Sequence, residues 1–378
     1  MDTTPKYQYV FETLRNDILA GKFTDNDRFP SEGQLMLRFK VSRNTVRTAL
    51  EDLKRSGMIE TRNGSGTFLS PAARKATGTI GLIMPVTSSA EIFPPIFSEI
   101  SHLARQEGYS TVLGDASSPD PLIRSTQALR LAHDYANAQT VGVILKPLEL
   151  TPDYENTTAQ IVSVLDAKGI PVVLIDCDTV KPPQRSKFDL VGIDNVRAGQ
   201  LLAEHLIARG ARKIHVLVRP GSAPTVFKRT QGVQNALLDA GLSWKKTNLH
   251  VFDPENISLV RKAFSRNVDA VVCGNDDTAA RLLDSLRKLK IRVPQDLLVT
   301  GVDDVRYAML VSPQLTTLHQ PCEQIAAAAF QLLTERIRNP SLPAREILVD
   351  ARLVVRASTT LPSSVKRPAR QHSAKRCR

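Results

Sequence analysis

A chain of 378 residues, 42% hydrophobic and 23% charged, is long enough for roughly two to three domains with real cores. Half of its net charge of +12 comes from Lys366, Arg367, Arg370, Lys375, Arg376 and Arg378 in an acid-free tail, so total charge alone points to no polyanionic partner. The scattered Cys177, Cys273, Cys322 and Cys377 exclude a disulfide framework or a zinc site, no apolar run is long enough to span a membrane, and the acidic start (Asp2, Glu12, Asp17) is no export signal; the expected compartment is the cytoplasm.

In chain order, Tyr7, Phe11, Leu14 and Ile18 form an apolar helical stripe that Gly21 stops. FPSEGQL at 29–35 then places Ser31 three residues before Gln34, as in a capping box. A third helix starts at Ser42, a good N-cap; Val46, Leu50 and Leu53 make its buried face. Arg43 and Arg47 project together from its N-terminal end, four residues apart. Guanidinium forks match the acceptor pair on a guanine edge, and Asn44 between them suits adenine or a phosphate, so this helix is expected to read the major groove of double-stranded DNA. Asn63-Gly64 signals a tight hairpin turn, with Arg62 within reach of a minor groove or backbone and Gly64 and Gly66 allowing a close approach.

Residues 7–69 resemble the winged helix-turn-helix of the GntR family, through the PSE helix start, the VSR-x-TVR helix and the G-x-GTF wing. The resemblance implies DNA contacts from Ser31, Ser42, Arg43, Asn44, Thr45, Arg47, Arg62, Asn63, Gly64 and Gly66. One position departs: the family often carries a basic residue after the Glu of PSE, and this chain has Gly33.

SPAARKATG at 70–78 reads as a linker. Beyond it, near-continuous apolar strands at 79–84, 141–146, 171–176, 213–218, 269–273 and 297–303 alternate with amphipathic helices at 96–107, 197–208, 231–240 and 278–289. Such strands imply parallel sheets covered on both faces, and a segment of this length favours two lobes with a cleft between them. The expected class is therefore α/β: a head at 1–70, a linker at 71–78, a two-lobed sensor at 79–360 and a basic, disordered tail at 361–378.

GIPVVLIDC, LVGIDNVRAGQLLAEHLIARGARKIHVL and the run from Cys273 to Pro321, with its ND, VP-x-D, G-x-DD and P-x-LTT elements, look like the effector domain of LacI/GalR regulators, which shares its fold with periplasmic sugar-binding proteins. A GntR-type head on a LacI-type sensor is similar to the arabinose-repressor group of Gram-positive bacteria. The resemblance implies a monosaccharide effector, with Arg229 of the R-x-x-G element forking onto ligand oxygens. Asp303 would sit at a strand's C-terminal end, where parallel sheets bind ligands. Asn275, Thr225 and Glu149 complete the expected contacts, with Phe93 a stacking face. Asp276 is expected to cap a helix and Asp304 to order the lobe crossover. A homodimer on a two-fold operator, with no cofactor or metal, follows. Two other classes are weaker: an aminotransferase-like fusion using pyridoxal phosphate has no matching lysine setting, and a solute-binding protein would not carry the reading head.

Overall fold

The computed structural model describes every residue except 1–5, 20–22, 24–27, 63–64, 71–77, 85–90, 115, 117, 119, 139, 152, 181–182, 265–266 and 361–378. Gly21, the Asn63-Gly64 turn, most of the linker and the tail therefore lie outside the described residues. The chain forms two compact units, Met1–Gly78 with Arg105–Ser110, and Thr79–Ala104 with Thr111–Arg378.

In the first unit, helices α1 (Lys6–Leu19), α2 (Glu32–Phe39) and α3 (Arg43–Arg55) precede an antiparallel hairpin of β1 (Ile59–Arg62) and β2 (Gly66–Leu69). Its core joins Val10, Leu14, Ile18, Leu35, Val46, Ala49 and Leu53 to Ile59 and Leu69 of the hairpin. The buried stripe of α1 runs through Val10 rather than Tyr7, which is 38% exposed, and Ala49 takes the deep position beside the half-buried Leu50. Ser31 and Gln34 form the reciprocal capping box, Gln34 N donating to Ser31 Oγ at 3.4 Å and Ser31 N to Gln34 Oε1 at 2.9 Å. Ser42 caps α3 by accepting from Thr45 N at 3.4 Å. Lys40 turns the chain between α2 and α3 with φ +52°.

The second unit is two lobes built alike. The first holds β3 (Thr79–Ile83), α4 (Phe93–Glu107), β4 (Ser110–Leu113), α5 (Pro121–Asn137), β5 (Gly142–Leu145), α6 (Tyr154–Asp166), β6 (Val172–Ile175) and β7 (Asp189–Ile193). The chain then crosses to α7 (Asn195–Ala208), β8 (Ile214–Val218), α8 (Pro224–Asp239), β9 (Leu249–Val251), α9 (Ile257–Phe264), β10 (Ala270–Cys273), α10 (Asp276–Lys288), β11 (Leu298–Asp303), α11 (Arg306–Leu310) and β12 (Thr316–His319). It returns through α12 (Cys322–Arg338), which packs on β5, β6 and β7, to β13 (Glu346–Val349) at one edge of the first sheet, and ends on β14 (Arg352–Val354) in the second. Strand orders are β13-β7-β6-β5-β3-β4 and β14-β12-β11-β10-β8-β9; β14 runs antiparallel to β12. The six apolar segments expected as strands are β3, β5, β6, β8, β10 and β11. The edge strands β4 and β13 alternate in exposure, and β9 and β14 have only three residues each, so none makes a continuous apolar run.

At the edge of the second lobe, His215 Nδ1 lies 2.8 Å from His250 Nε2 against Phe252 and Phe264. Burial, then the charge of His250, pushes His215 down to about 4, with Asp269 opposing, and burial also lowers His250. Between the free value near 6.5 and about 4 the unfolded chain therefore binds more protons, so stability should fall as pH falls through that window, by roughly 2 kcal/mol. Melting curves of the wild type and a His215→Val/His250→Phe variant from pH 7 to 4.5 test this; equal acid slopes would refute it.

Candidate functional site

On the first unit, the buried Val46, Ala49 and Leu53 of α3 leave Arg43, Asn44 and Arg47 on its outer face. Arg43 is 74% exposed and pairs with Glu32 at 2.8 Å; Arg47 is 70% exposed and pairs with Glu51 at 3.3 Å. Exposed pairs of this kind are weak, so either guanidinium can exchange its carboxylate for a ligand at small cost. The hydroxyls of Ser42 and Thr45 lie 2.9 Å apart, and Ser31 stays exposed beside Gln34. Gly33 has nothing within 4 Å of where a side chain would begin, so this open position carries no cation. In the hairpin, Arg62 stacks over Phe68 at 4.9 Å and pairs with Glu60 at 2.9 Å. Gly66 has φ +109°, a conformation that favours glycine, and the space a Cβ would take holds the exposed Arg28 guanidinium.

On the second unit, polar groups gather where strands end. Lys146 follows β5, Asp176 follows β6, Asp303 closes β11 and Gln320 follows β12. Lys146 is fully buried, 3.3 Å from Asp176, 3.4 Å from Glu149, and 5.8 Å above the ring of Phe93. Burial works against its charge, but the neighbouring carboxylates of Glu149 and Asp176 oppose it and the net shift is upward, so Lys146 stays an ammonium. Phe93 is itself only 3% exposed and is a core residue under that ammonium, not an open stacking face.

From the second lobe, Arg229 donates through Nε to Asn195 Oδ1 at 2.7 Å and through Nη1 to the Gly274 carbonyl at 2.5 Å. Its helix begins at Pro224, earlier than the expected 231, so Thr225 and Arg229 both stand in the first turns of α8. Helices α7 and α8 cross backbone to backbone: a Cβ on Gly199 would collide with the Arg229 carbonyl, and one on Gly232 with that of Val196. That crossing holds Arg229 beside Asn195. Asp303, at φ +119°, accepts from Gln320 Nε2 at 2.7 Å. Its carboxyl is pushed up to about 7, by burial first and by Asp176 and Glu149, against the lowering effects of Arg229 and Gln320. The lobes meet here: Ala223 N donates to Glu149 at 3.2 Å, Leu150 N to the Gly221 carbonyl at 2.8 Å, and Thr225 Oγ1 to Asp176 at 3.5 Å. Beside them a cavity of about 500 Å³ reaches Asp303 and Gln320, with Ile92 and Pro95 on the first lobe's side. That volume suits a small molecule.

Two sequence expectations change places. Asn275, not Asp276, is the N-cap of α10, its Oδ1 accepting from Thr278 N at 2.9 Å and Thr278 Oγ1 at 2.6 Å. The Asp276 carboxylate instead accepts from Val305 N and Thr317 Oγ1, which ties β11 to β12. Asp304, expected to order the lobe crossover, bonds His319 at the end of β12 at 3.1 Å and Arg356 just after β14 at 2.6 Å, both within the second lobe. Lys146, Asp176, Asn195 and Gln320 were not foreseen. A lysine closing an otherwise apolar strand, VGVILK, was the one signal available for Lys146.

Residues 6–69 match the model of the bacterial regulatory proteins of the gntR family, and 203–359 that of the periplasmic binding protein-like domain. The chain is 26% identical over 383 residues to the arabinose metabolism transcriptional repressor of Halalkalibacterium halodurans, covering 96% of this chain and 98% of that protein. It is 30% identical over 289 residues to the HTH-type transcriptional repressor PurR of Klebsiella pneumoniae, covering 75% and 80%. The chain belongs to the transcriptional regulators that join a GntR-type head to a LacI-type sensor. Among solved structures, the regulator CelR in complex with cellobiose superposes with a TM-score of 0.62 at 25% identity, over 84% of this chain and 92% of that one. In this regulator, then, α3 and the hairpin are a recognition helix and a wing, and the two sheets are a ligand-sensing pair of lobes. Among the described residues no helix is long and apolar enough to cross a membrane, and no group of three or more His, Cys, Asp or Glu could hold a metal ion.

Proposed function

We propose that this regulator is a repressor of carbohydrate-metabolism genes that a small sugar releases from its operator. The observation that supports the reading is the clustering of Arg229 and Asp303 from one lobe within electrostatic reach of Glu149 and Asp176, the partners of Lys146, from the other, where the two lobes meet. Charged donors and acceptors of that density suit the several hydroxyls of a sugar. Arg229, Asp303, Glu149 and Thr225 take the ligand contacts; Asn275 offers its amide only, its oxygen being held by α10. An effector drawing both lobes together would alter the Glu149–Ala223 and Thr225–Asp176 contacts and so the spacing of two heads in a cytoplasmic homodimer. By linkage, DNA must weaken sugar binding by the same factor.

An aminotransferase-like enzyme would need a lysine able to lose its proton and attack a carbonyl. Lys146 is held as an ammonium between two carboxylates, which speaks against that role. The reading is tested by a thermal-shift screen of monosaccharides, followed by fluorescence anisotropy of the full chain on a duplex selected from a random pool, with and without the best hit. A duplex that the chain binds and that no sugar releases would sink the inducer half of the reading. For the head, Arg47→Ala should weaken binding to that duplex by about 1–3 kcal/mol with unchanged melting temperature. Wild-type affinity in the folded variant would remove Arg47 from the interface.

A further inference from the structure

Arg28 lies against Gly66, whose φ of +109° by itself calls for glycine. Phe29 N donates to the Thr67 carbonyl at 2.8 Å, and Arg28 bridges antiparallel to Phe68, so the chain just before α2 runs as a short third strand along β2. Opposite Gly66 in the hairpin register stands Arg62. Directly opposed residues of an antiparallel pair point to the same face, so the Cβ direction of Gly66 and the Arg62 side chain share one face of the wing. The Arg28 Nε, Cζ and Nη2 lie in the space that Cβ would occupy. Both guanidiniums are thus on the same face, with Arg62 flat on Phe68 and its charge partly met by Glu60. Arg28 is exposed. Its position fills a gap that any other residue at 66 would close.

We infer that Arg28 and Arg62 form a two-arginine clamp on the wing that grips the DNA backbone. The inference rests on the operator-binding function proposed above and deepens it. A phosphate oxygen is the acceptor two neighbouring guanidiniums suit, because it can take a fork from each, and such a contact carries no sequence information. The clamp should therefore contribute to affinity and salt dependence and leave base preference alone.

The probe is the duplex selected from a random pool by the full-length wild type. For Arg28→Gln, the slope of log affinity against log salt should flatten by about 0.9 for each head bound, with affinity down about tenfold at low salt and less at high salt. Arg28→Lys, which keeps the charge, should retain the wild-type slope. Selection repeated with Arg28→Gln should return the same sequence. A wild-type slope in Arg28→Gln, or an altered selected sequence, overturns the clamp while leaving the regulator reading intact. If the wild type itself selects no duplex, that reading fails and the clamp with it. Melting curves of each variant separate loss of contact from loss of fold.

Discussion

Arg229→Ala should bind no sugar measurably while holding DNA as the wild type does, giving a repressor that effector cannot release. Arg229 is 5% exposed and satisfies two buried acceptors, Asn195 Oδ1 and the Gly274 carbonyl, while its charge opposes the upward shift of Asp303. Removing it strands both acceptors and takes away the cation facing Asp303, so the site loses a charged donor that a neutral sugar cannot replace, a charge-assisted bond being worth about 1.5–3 kcal/mol. Arg229→Lys should not rescue binding, because an ammonium cannot supply Nε and Nη donors in a fixed fork. Calorimetry with the best sugar from the screen, beside anisotropy on the selected duplex, decides it. Sugar affinity within a few-fold of wild type in the alanine variant would take Arg229 out of the site.

Asp303 gives that experiment a pH dimension. With its carboxyl near 7, raised chiefly by burial, a hydroxyl can donate to it fully only above that range. Effector affinity should therefore rise with pH through neutrality if Asp303 accepts from the ligand.

What the sequence made legible here is what local pattern encodes. VGVILK, KIHVLV and DAVVC read as strands because nearly every residue of a doubly covered strand is apolar, and Ser31 and Ser42 read as caps because a cap acts on the next three residues. Illegible features depended on distant partners. TTLH became the buried strand β12 because the Thr316 hydroxyl reaches Thr359 at 2.7 Å and Thr316 N reaches Ser358 at 2.8 Å, contacts near the chain's far end. The guanidinium beside Gly66 belongs to Arg28, which stands far off in sequence and outside the turn motif. Asp276 read as the cap of α10 and Asn275 as a ligand contact, and only the hydroxyl of Thr317 and the backbone of Val305 draw Asp276 away and leave the cap to Asn275. Lys146 stands out at the end of VGVILK, but nothing there announces its partner Asp176, just past the next strand.

That lysine carries the second large effect. Lys146→Met should lower the stability of the sensor by about 3 kcal/mol, the lower end of the range for breaking a buried pair, because its carboxylate partners keep some water contact. The ammonium is fully buried, whereas Glu149 and Asp176 are 26% and 12% exposed. Methionine fills most of the lysine volume, so the cost is electrostatic rather than a cavity: two carboxylates are left near each other and near Asp303 without their shared cation. Two further measurements separate this from plain repacking. Adding Asp176→Asn to Lys146→Met removes one of the stranded charges and should recover more than half of the loss, since a mutually compensating pair is strongly non-additive. Acid should also narrow the gap between Lys146→Met and wild type, because the stranded carboxylates can then take up protons. Urea unfolding of the wild type, single and double variants at pH 7 and pH 5 reads all of these, and a double variant no more stable than the single one would show that Lys146 is held by packing alone.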